Sequence, residues 1–489
     1  MPTIFNIPSS SKQVGYAPAN VSGLSIEPAN EQLIIKWSDP ADTIVDGVTL
    51  AKWEGTKVVR KAGSYPENQY DGTVLVDNKV RDSFKDSGYI DGGLTNGMTY
   101  YYGVFPYSTT NQYNLNEANR VSAIPQAYVK YGIRWYYKAE SPTLERLYDS
   151  ENFTFQAKSA TQNYHSDFDG KPIYKDIKTC NVVNGVITAY EGEAGFTRSG
   201  TNGDVMVEIP KFWYKVEDND TYRDYVISDC ALDGFEVAPR HMACEDFPNG
   251  LDKIFVGAYE ATSGFKSVSG VAPLVNLTRA NFRAEFANRG AGYCQADWAT
   301  QFELMILMMV ETASLNTQSA VGNGLVSNSS ALHTGTADTL GATTGSAGTN
   351  NAVLWRGIEN LWGNVDEWRD GINFDNADIY VCLNPSKFAD DTATNYTKIG
   401  YSKLQSNGYI SETGFDTNNP WVQIPTVVSG SSSTYLCDYY YYYNSGWIVA
   451  CVGGYWGYGS RAGLFCLGAH YDSSYYGSFI GSRLLVLPS

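Results

Sequence analysis

The residues best suited to do chemistry crowd into the end of the chain. The last 55 positions, from Tyr435 on, hold 11 of the 37 Tyr, five of them consecutive from Tyr439 to Tyr443, with many Ser and Gly beside them. They hold no Lys, Glu, Gln or Met. Tyr mixed with Ser, Gly and Asn makes large, rigid contacts and adaptable hydrogen bonds at low entropic cost. Lys and Glu are also depleted from the centres of interfaces. A buried Gly-rich core would exclude Lys and Glu too, but it explains neither the loss of Met nor a run of five Tyr. The chemistry is therefore non-covalent recognition. The expected contacts are Tyr442, Tyr443, Asn444 and Ser445 in one loop, and Tyr455, Tyr458 and Arg461 in a Gly-rich loop. Cys466, His470, Tyr471, Asp472, Tyr475, Tyr476 and Phe479 complete the set, with a buried thiol as the competing reading of Cys466. The interleaved Ala462, Gly463, Leu464, Phe465, Ile480 and Leu484 read as scaffold.

Other chemistry finds little support. The four His (165, 241, 333 and 470) are far apart with no HxxxH spacing, so a three-His iron site is not expected. The run DGINFDNAD offers Asp370, Asn373, Asp375 and Asp378 as oxygen ligands. It lacks the spacing and the Glu of an EF-hand and reads as a solvated loop. No GxSxG elbow, P-loop or Rossmann fingerprint occurs. No catalytic residue, metal or cofactor is expected.

Length and charge narrow the classes further. At about 150 residues per domain, 489 residues suggest two to four domains, with enough chain to bury real cores. The formal charge of −17 disfavours nucleic acid, whose affinity comes from Lys and Arg on phosphates, and anionic membranes for the same reason. No run approaches the roughly 20 apolar residues of a membrane span. The opening MPTIFNIPSSSKQ has no basic segment followed by an apolar one, so no signal peptide is read. Eight scattered Cys without a CxxC pair read as reduced thiols of a protein made in a cytoplasm.

The elements that must position these residues are legible in outline. Residues 1–20 read as a polar arm. Residues 21–126 alternate short apolar runs (Leu33 to Ile35, Val58-Val59, Thr73 to Val76, Tyr100 to Phe105) with the turn pairs Asp46-Gly47, Asp71-Gly72 and Asn96-Gly97. That spacing predicts a sandwich of about seven strands. Beyond it, strands are expected over Asp204 to Tyr214 and Ile254 to Tyr259. Helices are expected over Thr278 to Asn288, with Phe282 and Phe286 at i,i+4, and over Asp297 to Ala313. The Gly/Ser/Thr/Asn-rich stretch from Thr317 to Asn351 reads as a long surface loop.

Two resemblances add to this reading. In LIIKWSDP, Trp37 stands where fibronectin type III domains place an early-strand core Trp. In LTNGMTY, Leu94 and Tyr100 match the spacing of that family's tyrosine corner, with Asn96 in place of the usual Pro. The resemblance covers about 105 residues and implies a spacer or interaction module. Over residues 131–489, GNVDEW (363–368), the GG-x-W-x(6)-GLF segment from Gly453 to Phe465 and the closing IGSRLL are similar to the formylglycine-generating-enzyme branch of the C-type lectin fold. Within that branch the chain looks most like the variable proteins of diversity-generating retroelements, in particular tail-tip receptor-binding proteins of gut bacteriophages. The fold class implied is an α+β C-type lectin head behind an all-β fibronectin-like sandwich. Trp362, Trp368 and Arg483 would be framework, Arg483 needing an acidic or carbonyl partner. Gly453, Gly454 and Gly481 would allow close backbone approach.

Adenine-directed mutagenesis of AAY codons produces NNY codons, which encode Tyr, Ser, Asp, His, Cys, Gly, Phe and Arg but never Lys, Glu, Gln, Met or Trp. The tail obeys that exclusion except at Trp447 and Trp456, and Trp456 belongs to the family pattern. The resemblance thus implies a virion-borne adhesin, assembled in a host cytoplasm, that joins other tail proteins through its N-terminal region. It would bind a bacterial surface protein or glycan through variable region 435–489, as a homo-oligomer such as a trimer. Two alternatives belong to the same fold: a variable ligand-binding protein displayed on a cell, and an oxidase of the formylglycine-generating type. The oxidase needs paired Cys, for which Cys437, Cys451 and Cys466 are the candidates, but they match no shared copper motif.

Overall fold

The computed structural model describes residues 15–137, 144–219, 221–340, 343, 351–443 and 445–488. The protein is mostly β with few helices, in two compact units that divide between Tyr128 and Val129. The expected arm lies outside the described residues up to position 14.

The first unit contains β1 (Ser22–Ala29), β2 (Gln32–Ser38), β3 (Thr43–Val45), β4 (Val48–Ala51), β5 (Trp53–Ala62), β6 (Thr73–Asn78), β7 (Tyr89–Gly92), β8 (Tyr100–Ser108) and β9 (Arg120–Ala123). A three-stranded sheet, β1-β2-β7, accompanies a four-stranded one, β6-β5-β8-β9, while β3 and β4 form a separate hairpin. Asp46 and Gly47 both take positive φ (49° and 78°), as a type I′ turn requires. Along β2, Leu33, Ile35 and Trp37 alternate inward and share a core with Val58, Tyr102 and Val104. Trp37 is 1% exposed and donates its indole N–H to Asp39 at 2.9 Å. The Tyr100 hydroxyl accepts the Thr95 N–H at 3.1 Å, five residues upstream.

Among the described residues the second unit is built around three large sheets and two main helices, with three two-stranded ribbons beside them. A five-stranded sheet carries Lys130–Trp135 and Arg223–Ser228 side by side. A six-stranded sheet runs through Asp204–Pro210 and Lys253–Glu260 to the terminal strand Arg483–Val486, which also pairs with Tyr293–Gln295. The third sheet centres on Asp366–Asp375, Trp447–Gly453 and Gly463–Tyr471, and is extended by Tyr439–Tyr442, which runs parallel to Gly463–Tyr471.

Helix α1 (Arg279–Ala287) starts at Thr278, whose hydroxyl accepts the Asn281 N–H at 3.2 Å, and it stacks Phe282 on Phe286 in the core. Helix α2 (Trp298–Thr312) is capped by Asp297, which accepts the Thr300 N–H at 2.8 Å. It is buried on every side from Trp298 to Glu311. Its two buried carboxylates have partners: Glu311 pairs with the Arg356 guanidinium at 2.5 Å, and Glu303 accepts the backbone N–H of Arg240 at 2.7 Å and meets the His241 ring at 3.2 Å.

Two expectations need correction. The run DGINFDNAD is no solvated loop: Asp370 and Asn373 are fully buried in strand Asp366–Asp375. Arg283 holds Asp370 at 2.5 Å, and Asn373 accepts from Arg279 at 2.5 Å, so α1 consumes these oxygens. The stretch from Thr317 is not simply surface loop either. Thr317, Val321, Leu325 and Ala337 are buried, and Leu325 and Ala337 cluster with Ala352 and Leu354. Small apolar residues spaced among Gly and Ser supply this anchor without a periodic signal.

Candidate functional site

The framework of the tail is built before its surface. Arg483 is fully buried and bonds to Glu367 at 2.5 and 3.1 Å, and to the carbonyls of Gly257, Glu359 and Asn360. Those contacts tie the terminal strand to the GNVDEW segment. Trp362 and Trp368 are 1% and 0% exposed and donate to the carbonyls of Gly322 and Leu277. Gly453 and Gly454 take φ of 91° and 77°, and a Cβ on Gly453 would lie 2.9 Å from the Leu361 carbonyl. Gly481 lets the chain pass the Leu274 carbonyl, which a Cβ would meet at 2.9 Å.

On this base stands the Gly-rich loop 454–461. The stretch after α2 supports it: Gly459 donates to the Val326 carbonyl at 2.9 Å, and Asn328 to the Trp456 carbonyl at 2.9 Å. Asn364 accepts the Trp456 N–H on its carbonyl at 3.1 Å and the Leu332 N–H on its side chain at 2.8 Å.

Strand alternation sorts the tyrosine run. Tyr440 is fully buried and donates to the Leu404 carbonyl at 3.0 Å. Tyr439 and Tyr441 face the other way and are half-buried. Tyr441 lies 4.9 Å from Tyr458 and 5.2 Å from His470, ring centre to ring centre. Tyr458 meets Tyr455 at 4.3 Å, Tyr455 meets Phe479 at 4.5 Å, and Phe479 meets Tyr471 at 6.5 Å. Tyr471 meets His470 at 3.8 Å, which closes a circuit of six rings, and Tyr475 stacks on Tyr471 at 4.0 Å. Arg461 stands at the outer edge over Tyr439, 5.1 Å from its ring.

Half of the expected contacts therefore come together, namely Tyr455, Tyr458, His470, Tyr471, Tyr475, Phe479 and, at the edge, Arg461, drawn from two loops and the strand Gly463–Tyr471. Tyr443, Ser445, Tyr476 and Asp472 are exposed around them without joining the circuit. Asn444 lies outside the described residues. Tyr442 points to the opposite side of its strand, where the Lys403 ammonium sits 4.2 Å from its ring. Cys466 is a correction: it is 1% exposed in strand Gly463–Tyr471, which is covered on both faces, so its thiol presents nothing to solvent. The expected scaffold residues Ala462, Leu464, Phe465, Ile480 and Leu484 are buried. Sequence reading missed Tyr409, Tyr439 and Tyr441 as surface. Reading the five tyrosines as a strand with period two would have found the last two.

The electrostatics of the site are those of a dry floor. Burial pulls His470 down to about 4, so its imidazole is a neutral wall. Burial raises the thiols of Cys437, Cys451 and Cys466, with Asp438 adding to the first and Asp366 to the other two. All eight Cys are free. Burial likewise pushes Asp438 up to about 8, although it accepts the Phe465 N–H at 2.8 Å. A cleft of about 520 Å³, lined by Tyr164, Tyr190, Arg198 and Arg356 among others, takes no residue from the tail.

No known family profile matches this chain, and no curated protein does. Among solved structures it is similar to Treponema denticola variable protein 1, at a TM-score of 0.28 and 11% identity, covering 60% of this chain and 98% of that one.

Proposed function

We propose that this chain is a variable ligand-binding protein, in which a constant scaffold presents the last 55 residues as an exchangeable surface. In its fullest form the proposal is a phage tail adhesin. A fibronectin type III-like module carries a head of the C-type lectin fold that recognises a protein or glycan on a bacterial surface. The observation that carries it is the sorting of the tail: Leu436, Ile448, Ala450, Leu464, Leu467, Ile480 and Leu484 are buried, while Tyr441, Tyr455, Tyr458, His470, Tyr471 and Phe479 join in one part-buried circuit of rings, with Tyr443, Arg461, Asp472 and Tyr476 exposed. Support for the first module comes from the pairing of a three- and a four-stranded sheet, with Trp37 in the core and Tyr100 bonded back to Thr95. The oxidase alternative is disfavoured because its candidate thiols are buried and raised, whereas reactive cysteines are exposed and held as thiolates. Weak heads gain strongly from multivalent display, which is the argument for a homo-oligomer.

The test is a triple change, Tyr443, Tyr455 and Tyr476 to Ala. Folding should survive, since Tyr443 and Tyr476 are 54% and 63% exposed. Adsorption of the phage to host cells should collapse, because a central aromatic anchor is often worth about 2 kcal/mol or more. A variant that unfolds, or that adsorbs like the parent, would overturn the reading.

A further inference from the structure

The rim of the tail carries one cation that the fold does not use. Arg461 is exposed and closes the short turn Gly459–Arg461. The other arginines of the second unit each hold a carboxylate or, in the case of Arg146, the carbonyls of Val310 and Glu311. Arg461 has no ion pair among the described residues. Asp and Glu number 52 in this chain against 35 Lys and Arg, so an unpaired arginine is not the remainder of an excess of base.

The side chain is nonetheless held in place. Its turn is pinned on both sides, because Gly459 donates its N–H to the Val326 carbonyl at 2.9 Å and accepts the Gln318 side chain at 3.0 Å. The guanidinium lies over the Tyr439 ring, 5.1 Å from its centre. Tyr439 is fixed in turn: it meets Tyr409 edge-on at 5.1 Å and Tyr441 at 4.6 Å, and Gly408–Tyr409 pairs with its strand. One guanidinium nitrogen stands 3.5 Å from the Tyr441 hydroxyl, at the outer limit of a hydrogen bond. Stacking therefore orients the planar fork, while most of its five N–H donors stay open to a ligand.

An oriented guanidinium with a free edge is the recognition chemistry of a carboxylate or a phosphate, which it meets through two parallel hydrogen bonds. The surroundings narrow the ligand further. The Tyr409 and Ser460 hydroxyls share a hydrogen bond at 3.1 Å beside the fork, and the Tyr441 hydroxyl flanks it. Hydroxyls set among ring faces suit a sugar: the rings take its C–H face, and the hydroxyls exchange hydrogen bonds with its own.

We propose that Arg461, framed by Tyr409, Tyr439, Tyr441 and Ser460, is a subsite for an acidic saccharide, a sugar ring that carries a carboxylate or a phosphate. The proposal rests on the tail being a binding surface, and it deepens that reading by naming the ligand class. Arg461 lies within the segment proposed to vary and Tyr409 outside it, so the preference for an anion belongs to this version of the surface.

The experiment titrates D-glucose, D-glucuronate, D-glucose 6-phosphate and N-acetylaspartate into the full chain, followed by saturation-transfer NMR. At least one of the two acidic sugars should bind about fivefold more tightly than glucose, the scale of a well-oriented ion pair at a surface, and the tighter one identifies the anion. The preference should shrink as salt is raised. Arg461→Gln should abolish it without loss of stability, because the side chain is exposed. Arg461→Lys keeps the charge but not the fork, and should lose most of it. Glucose binding as tightly as both acids, no saturable sugar binding, or a preference that survives Arg461→Gln would overturn the subsite. N-acetylaspartate binding as tightly as the acidic sugars would overturn the saccharide class in favour of a peptide carboxylate. Host adsorption is read separately. If the exposed Tyr changes abolish adsorption while no preference for an acidic sugar exists, the subsite fails and the adhesin stands. If that preference depends on Arg461 while those Tyr changes leave adsorption intact, the subsite stands and the adhesin fails.

Discussion

At the scale of single residues, the chain separates positions that hold the fold from positions that face out. Trp368 fills a core beneath Tyr471, whose ring meets it edge-on at 6.0 Å. Trp368→Ala should cost about 3–5 kcal/mol in chemical denaturation, as for other large buried aromatics. Arg483→Met should also cost about 3–5 kcal/mol, because it leaves buried Glu367 with Arg369 as its remaining cation and strips three buried carbonyls of their donor. Asp438 has a pH signature. Its folded pKa of about 8 lies well above the ordinary carboxylate value near 4. The stability it contributes is complete below about pH 4 and is lost as pH rises through 8. Melting temperature should therefore fall between those limits, as Glu260 at about 8 and Glu359 at about 7 also require, and Asp438→Asn should flatten the fall. Arg461 gives a genetic test. If the tail is written from AAY codons, Arg461 must be encoded by CGY; an AGA or AGG codon would exclude that position from diversification.

At the scale of elements, the site depends on a loop whose shape only glycine permits. A Cβ on Gly454 would lie 2.8 Å from the Tyr458 ring and 3.0 Å from Ala462, at a φ that side chains avoid. Gly454→Ala should therefore displace Tyr458 and weaken ligand binding more than it lowers melting temperature, and unchanged affinity would show that the loop does not position the rings. Asn364 ties that loop to the stretch after α2. The anchoring of this stretch through Val326 and Leu325 explains why a low-complexity segment packs here: it is the shelf under the tail. Its apolar residues are too sparse for a periodic signal, so local sequence read only its polarity.

At the scale of the whole molecule, the two units have separate cores, one around Trp37 and the others around α1 and α2. A chain begun at Val129 should fold cooperatively by itself and keep whatever ligand affinity the full chain has in solution. Failure to fold, seen by loss of a sigmoidal melt, would show that the first unit is needed for the second. Adsorption by a trimeric display should exceed that of an isolated chain through effective concentration alone.

The sequence by itself determined the two main helices, several of the longer strands and the framework. Caps at Thr278 and Asp297, i,i+4 aromatics and turn pairs such as Asp46-Gly47 are local signals, and local hydrogen bonding answers to them. Composition alone singled out the tail as the candidate recognition surface, because interface chemistry leaves a compositional trace. Tertiary structure decided which tyrosines belong together. Tyr442 and Cys466 fall away because strand orientation and sheet covering are set by partners hundreds of residues distant in places. Asp370 and Asn373 likewise became core because α1 brings Arg279 and Arg283 to them. The ring circuit is the sharpest case: its members are scattered between Tyr441 and Phe479 in sequence, and only the pairing of two strands and the anchoring of two loops bring their rings within 3.8 to 6.5 Å of one another.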